Sequence, residues 1–283
     1  MTGRRRSVGM SPCPNDTFMF HALIHEDDCC EGVQFEPVMD DIEGLNARAL
    51  DADRALPYTK MSCCAFGHAL PHYRALRAGA ALGRGCGPLV VVRDSSQARQ
   101  LTDLRSASIA IPGAMTTAWL LTRLYGRASL APRVLRYDEI MRSVATGSVD
   151  AGLIIHESRF TYKAHGLRAV ADLGDQWEAD TGLPLPLGVI AAKRSLDEEE
   201  VRSTQAALAA SVRRAWAHPE RSERWVSEHA QELDRAVCQA HIDLYVNHYS
   251  EDLGEEGMRA VEQLLKRGRD VGALPPCAAS PWS

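Results

Sequence analysis

Between residues 89 and 155 the chain alternates short apolar runs with stretches of helical spacing, and this alternation narrows the fold more than any other feature. Leu89–Arg93, Ala107–Pro112, Arg133–Tyr137 and Ala151–Ile155 read as strands. Thr116–Tyr125 and Asp138–Thr146 read as helices between them, and another helix is expected after Asp94-Ser-Ser-Gln97. Strands of this length spaced by helices belong to α/β layers, and the run forms a βαβαβ unit.

The same reading extends to either side. Ser7–Ser11 and Val33–Val38 suit strands, Ile42–Leu50 a short helix, and Lys60–Phe66 either a strand or a helix start facing a crevice. Thr17–Ile24 suits a helix that Asn15 or Asp16 would cap by accepting from its free N–H groups. Pro186–Ala192 reads as a return strand, and the chain beyond it is almost wholly helical. Asp197 and Glu198–Glu200 open the first of these helices, where acids suit the positive end of the dipole, with Arg213 and Arg214 toward its other end. Leu208, Val212 and Trp216 share one helical face and are expected in the core, as are Leu244 and its neighbours in 234–249.

A chain of 283 residues that is 45% hydrophobic fits two compact lobes better than one. The expected division is a first α/β lobe over 1–93, a second lobe over 94–193 inserted into it, and C-terminal helices over 194–283 completing the first. Two crossing strands would form a hinge, and ligands favour such clefts. Net charge is −5 with both signs interspersed, which gives no footprint for nucleic acid or an anionic membrane. The expected partner is a small molecule, and the expected state a monomer or weak homodimer.

No run of 18 apolar residues exists to span a bilayer. Arg4-Arg5-Arg6 leads into Pro12 and Pro14 without an apolar h-region, so it reads as the solvated end of a strand and a cytoplasmic location is expected. The eight cysteines contain no C-x-x-C pair and no zinc-like spacing with histidine, so neither a metal nor a disulfide framework is expected. Cys13 reads as a loop thiol rather than a nucleophile, because no base stands beside it in sequence. The glycines of 78–88 precede a strand rather than a helix and lack the G-x-x-x-x-G-K-[ST] pattern, so they suit a close-packed connection and not a phosphate cradle.

Chemistry gathers in four segments that could meet in the cleft: Ser11–Thr17, Lys60–Ser62, Gly113–Thr117 and His156. An apolar strand that ends on His156 delivers an ionisable ring to the carboxyl edge of a sheet, where open α/β sheets bind ligands. A core histidine satisfied by backbone is the alternative, but the Glu157 and Arg159 that follow supply more polar groups than a core needs. Those two residues are expected to orient one another or brace the hinge. Thr116 and Thr117 open a helix whose free N–H groups suit a carboxylate or oxyanion; Thr116 serving only as a cap fits equally well. Lys60 offers a cation, or is an ordinary surface lysine, and Ser62 a hydroxyl.

Longer strings then matter. Ser11-Pro-Cys-Pro-Asn-Asp-Thr-Phe18, Gly113-x-x-Thr-Thr-Ala118, Leu153-Ile-Ile-His-Glu-Ser-Arg-Phe-Thr-Tyr162 and Thr181-Gly-Leu-Pro-Leu-Pro-Leu-Gly188 resemble, in order, the 1,4-dihydroxy-6-naphthoate synthases of the futalosine route to menaquinone. The likeness runs over nearly the whole chain. It implies a type II periplasmic-binding-protein-like fold used as a lyase on cyclic dehypoxanthinyl futalosine, with no cofactor and no metal. By this resemblance His156 is the proton acceptor, and Lys60, Met61, Ser62, Thr116 and Thr117 contact substrate; Ser11 and Asn15, from the first of the four segments, are expected to bind it as well. Cys63-Cys64 departs from the family pattern. A non-catalytic solute-binding protein shares this fold, and so does the chorismate dehydratase of the pathway, which lacks the Ile-His-Glu-Ser-Arg string.

Overall fold

The N-terminal apolar run and the first proline-rich turn set the architecture. In the computed structural model, which describes residues 4–26, 28–30, 32–126, 130–230 and 234–283, strand β1 (Arg4–Met10) turns through Ser11–Cys13 into helix α1 (Pro14–His25). There follow β2 (Val33–Met39), α2 (Ile42–Ala49), β3 (Tyr58–Ser62), α3 (Cys63–Ala69), β4 (Tyr73–Ala75) and β5 (Ala81–Gly83). The middle of the chain gives β6 (Leu89–Arg93), β7 (Ser108–Ile111), α4 (Thr117–Tyr125), β8 (Ala131–Val134), α5 (Tyr137–Ala145), β9 (Ala151–Ile154), α6 (Ser158–Thr161), β10 (Leu167–Asp172) and α7 (Leu173–Thr181). The long strand β11 (Leu185–Lys193) leads to α8 (Glu198–Ala217), α9 (Glu223–His229), α10 (Arg235–Tyr245), α11 (His248–Glu251) and α12 (Gly254–Asp270).

Two mixed sheets result. One runs β2-β1-β3-β11-β4, with β5 also on β11; β1 is parallel to β2 and β3, while β11 is antiparallel to its neighbours. The other runs β10-β6-β9-β7-β8, in which β7 is parallel to β8 and β9 and the expected βαβαβ unit forms its parallel part. Both sheets therefore direct the carboxyl ends of parallel strands, Met10 and Ile154 among them, toward connecting loops, where α/β folds place their ligands.

The lobe boundaries fall earlier than the sequence suggested. β6 pairs with β9 and β10, so the outward crossing lies at 84–88, and the return lies between β10 and β11 at 173–184. Gly87 sits in the outward crossing, where a Cβ would meet the backbone of Gly174 at 2.3 Å, so the two connections pack main chain to main chain. One apolar cluster ignores the division: Met61, Phe66 and Ala191 from the first sheet region join Val90, Ile109 and Leu153 from the second and Leu264 and Leu265 from α12.

Other local differences have physical reasons. After Gln97 only a short 3-10 turn (Leu101–Asp103) forms, opened by a capping box between Gln100 and Asp103. Helix α1 starts a residue or two before the expected caps, with Pro14 in its first turn and Cys13 at the cap position; Asp16 is spent elsewhere. Along α8 the buried stripe follows Leu208, Val212 and Ala215, so Trp216 drifts off the face and is 39% exposed. Leu244 is half-buried, and the helix expected over 234–249 breaks at Val246, where Asn247 caps α11. The C-terminal residues are docked: Ala75 N–H donates to the Pro281 carbonyl at 2.7 Å and Trp282 Nε1 to Glu262 at 2.6 Å.

Candidate active site

A crevice opens between the two sheets, about 600 Å3 when the open solvent at its mouth is counted. Its wall includes Asn15, Lys60, Ser62, Thr116, Thr117, His156 and His241, with Ile42, Ile155 and Leu187 as apolar surface. Six of the eight residues singled out from sequence thus meet there. Ser11 and Met61 do not reach the wall: Ser11 is 1% exposed and bound to Asp16, and the alternation of β3 that turns Lys60 and Ser62 inward sends Met61 into the core.

Beneath one side of the crevice lies a carboxylate that the sequence reading treated only as a cap. Asp16 is fully buried and accepts from Ser11 N (2.9 Å), Ser11 Oγ (2.7 Å), Asn15 Nδ2 (2.9 Å) and Lys60 Nζ (2.5 Å). Lys60 is consequently neither a surface lysine nor a lone cation; its charge is matched by Asp16. Because Nδ2 of Asn15 faces Asp16, its Oδ1 faces His241 Nε2 at 3.0 Å and must accept, which places a proton on that nitrogen. His241 is 1% exposed, and burial, then His156 and Lys60, hold its pKa well below the usual histidine value. Its Nδ1 lies 3.8 Å from Glu157 Oε2.

On the opposite side, β9 ends and His156 follows in the left-handed region at φ +55°, a conformation rare outside glycine. Its ring is half-buried, packs against Tyr137 at 5.1 Å and lies parallel to His241 at 6.0 Å. Burial, with the Lys60 ammonium second, pushes its pKa down to about 3, so the ring is neutral at ordinary pH. Nδ1 meets a thiol and not a backbone carbonyl: Cys13 Sγ lies 3.5 Å away. The base absent beside Cys13 in sequence is supplied in space by His156, 143 residues on. Burial, then Glu157, pushes that thiol up to about 12 and keeps it protonated. Glu157 and Arg159 do not orient each other. Arg159 donates to the Gly87 carbonyl (2.6 Å) and to Asp172 (2.8 Å), bracing the crossing segments, while Glu157 turns to His241.

The α4 end of the crevice is more specific than its sequence. Thr116 accepts from Trp119 N–H and donates to the Gly113 carbonyl, and Thr117 donates to the Leu187 carbonyl at 2.6 Å. Both hydroxyl protons are therefore committed, and the donors left for an anion are the first backbone N–H groups of α4, at Thr117 and Ala118. Ser62 differs: its Oγ accepts from Asn46 Nδ2 (3.1 Å), so its own proton is free for a ligand.

Asn46 is the residue sequence reasoning missed altogether. Fully buried on α2, it holds Ser62 N–H through Oδ1 at 2.9 Å while Nδ2 reaches Ser62 Oγ, Glu43 and, at 3.4 Å, the Met115 carbonyl. Glu43 in turn accepts from Met115 N–H at 3.2 Å, and Gly113 leaves room for that carboxylate where a Cβ would strike it. One amide thus ties the β3 segment to the loop before α4. No signal short of the fold pairs residues 46, 62 and 115.

Among the described residues there is no cluster of three or more histidine, cysteine or acidic side chains placed to hold a metal, and no helix is long and apolar enough to cross a membrane. The family profile for menaquinone biosynthesis matches residues 6–270. The 1,4-dihydroxy-6-naphthoate synthase of Thermus thermophilus is 49% identical over 269 residues, covering 95% of this chain and 96% of that protein. The enzyme of the same name from Streptomyces coelicolor is 43% identical over 285 residues, covering 97% and 96%. A crystal structure of an Archaeoglobus fulgidus protein superposes with a TM-score of 0.87 at 33% identity, over 95% of this chain and 98% of that one. The alkanesulfonate-binding protein SsuA of Xanthomonas axonopodis, bound to MOPS, gives 0.74 at 15% identity over 98% and 96%. A Candida albicans protein with the generic periplasmic-binding-protein fold gives 0.70 at 11% over 96% and 92%, which extends the likeness to the fold alone.

Proposed function

The chain belongs to the menaquinone-biosynthesis family, among its 1,4-dihydroxy-6-naphthoate synthases, and from that premise we propose that it converts cyclic dehypoxanthinyl futalosine to 1,4-dihydroxy-6-naphthoate with His156 as proton acceptor. The observation that carries the assignment is a neutral imidazole on the wall of the crevice, facing the same space as the free Ser62 hydroxyl and the start of α4. A general base must be unprotonated at working pH, and burial keeps this one so.

In this reading His156 takes a proton from the substrate, the bond to the sugar-derived portion breaks, and the electrons settle in the naphthalene diol, whose aromaticity drives the step. The substrate carboxylate sits at the N–H groups of Thr117 and Ala118 rather than on Lys60, whose charge Asp16 already meets. Ser62 donates to a substrate oxygen. Lys60 lies close enough to lower the His156 pKa and so helps keep the ring neutral. The protein works as a monomer or weak homodimer, which sedimentation at assay concentration would check.

The test is to incubate the purified protein with cyclic dehypoxanthinyl futalosine and follow products by mass-resolved chromatography. His156→Asn is the control, since asparagine tolerates the left-handed backbone that His156 adopts. Wild type is expected to release 1,4-dihydroxy-6-naphthoate, and the variant to bind substrate while losing turnover by roughly 100-fold or more. Near-normal turnover in the variant would remove His156 as base. Binding without turnover by wild type would favour a solute-binding role.

A further inference from the structure

Strand β9 runs beside β6 only as far as Ile154, which pairs with Leu89. One step further would set Pro88, which has no N–H to give, opposite Ile155, and the ladder stops there. The chain then leaves the sheet through His156, whose φ of +55° persists in a residue other than glycine only where the surroundings hold it. Within this turn Arg159 N–H donates to the His156 carbonyl at 3.3 Å and Phe160 N–H to the Glu157 carbonyl at 2.9 Å. Both bonds lie inside the segment, and neither ties it to the lobe crossings.

The Arg159 side chain supplies that tie. Its Nη1 donates to the Gly87 carbonyl at 2.6 Å, just past the point where the ladder ends, and its Nη2 to Asp172 Oδ2 at 2.8 Å. Gly87 belongs to the outward crossing. Asp172 ends β10, and its Oδ1 caps α7 at the start of the return, accepting from Gly174 N–H at 2.9 Å and Asp175 N–H at 3.2 Å. One guanidinium thus grips both connections between the lobes. The carbonyls on either side of Gly87 are taken as well, Cys86 by Tyr245 Oη at 3.3 Å and Pro88 by Leu173 N–H at 3.0 Å, so the segment that Arg159 holds is itself fixed. Guanidinium and carboxylate are each only 18% exposed, which shields this charge-assisted pair from water.

We propose that Arg159 is a positioning residue for His156: its guanidinium, clamped between Gly87 and Asp172, holds the turn that follows β9 in its left-handed conformation and so sets the imidazole on the crevice wall. The proposal rests on the reading of His156 as base. Arg159 does not line the crevice, so its effect reaches the reaction through the placement of the ring and not through substrate binding.

The experiment combines steady-state kinetics of Arg159→Ala and Arg159→Lys with NMR of the histidine ring signals, those of His156 being assigned by their loss in His156→Asn. A reacting group displaced by about 1 Å can cost about 100-fold, so Arg159→Ala is expected to lose roughly 10- to 100-fold in kcat with KM within about threefold. Its His156 ring signals should shift from their wild-type positions. Arg159→Lys, which carries the charge on one nitrogen and cannot hold Gly87 and Asp172 as a fork does, should fall between Arg159→Ala and wild type. A wild-type kcat in Arg159→Ala, an effect confined to KM, or a loss of kcat with the His156 signals unmoved overturns the proposal. Should Arg159→Ala fail to fold, the same two readouts on Arg159→Lys decide. Failure of the base reading shows separately, as near-normal turnover by His156→Asn.

Discussion

Removing either partner of the Asp16–Lys60 pair should not cost the same, and the asymmetry can be worked from the contacts. Lys60→Met deletes one of four bonds to Asp16; the carboxylate keeps Ser11 N–H, Ser11 O–H and Asn15 Nδ2, and methionine refills most of the volume. We expect about 2–3 kcal/mol from the lost charge partner, below the range for a pair left wholly uncompensated. Asp16→Ala instead strands a buried ammonium, at about 3–5 kcal/mol, and orphans the Ser11 donors at about 1–3 kcal/mol each. Allowing for relaxation the total is roughly 5–8 kcal/mol, comparable with the whole stability of many domains. Urea unfolding followed by tryptophan fluorescence and circular dichroism measures both, with Asp16→Asn as a soluble variant of intermediate cost. In the double variant Asp16→Ala/Lys60→Met the stranded ammonium is gone, so its cost should fall about 2–4 kcal/mol short of the sum of the singles. An Asp16→Ala protein no less stable than Lys60→Met, or simple additivity in the cycle, would refute the view of Asp16 as the hub.

Three further outcomes follow from the same structure. Asn46→Ala should lower kcat/KM by roughly 10- to 100-fold, because Ser62 and the Met115 loop lose their common anchor, and Asn46→Asp should rescue little since it cannot donate to Ser62 Oγ; steady-state kinetics would show it, and unchanged kinetics would dismiss the clamp. Gly87→Ala puts a methyl against the Gly174 backbone, which cannot yield as a side chain could, and should cost about 2–4 kcal/mol, read as a fall in Tm. His156, lowered to about 3, and His241, lowered well below its usual value, both titrate below the unfolded 6.5 in the folded protein, so as pH drops through 6.5 the unfolded chain binds protons the native state refuses. Stability should be unaffected by them above pH 7 and fall as pH drops, by at most about 1.4 kcal/mol per unit for each ring; a flat urea midpoint between pH 7 and 5 would contradict their burial.

How much of this was legible before the fold? The βαβαβ unit was, because apolar runs separated by helical spacing admit few other solutions, and so was His156, placed where its strand runs out. Lys60, Ser62, Asn15 and the two threonines could be singled out by type and by resemblance. What sequence could not give were the partners. The Cys13 thiol and His156 are 143 positions apart, and Asn46 meets Met115 across 69, so their chemistry exists only after two sheets close on each other. The lobe boundary was misplaced for a similar reason: Leu89–Arg93 is apolar enough for either sheet, and only its pairing with β9 and β10 decides. The helix expected after Gln97 is reduced to the 3-10 turn Leu101–Asp103, for which the structure gives no single cause.

The apolar cluster that passes from β3 and α3 through α12 to β6, β7 and β9 has a consequence for how the molecule comes apart. Neither sheet can melt without exposing side chains that line the other, so the lobes share one free energy of opening instead of holding one each. Slow amide exchange at Val90 and Ile109 should therefore report the same event as exchange at Met61 and Ala191, and denaturant should reveal a single cooperative unit where the sheet count suggests two.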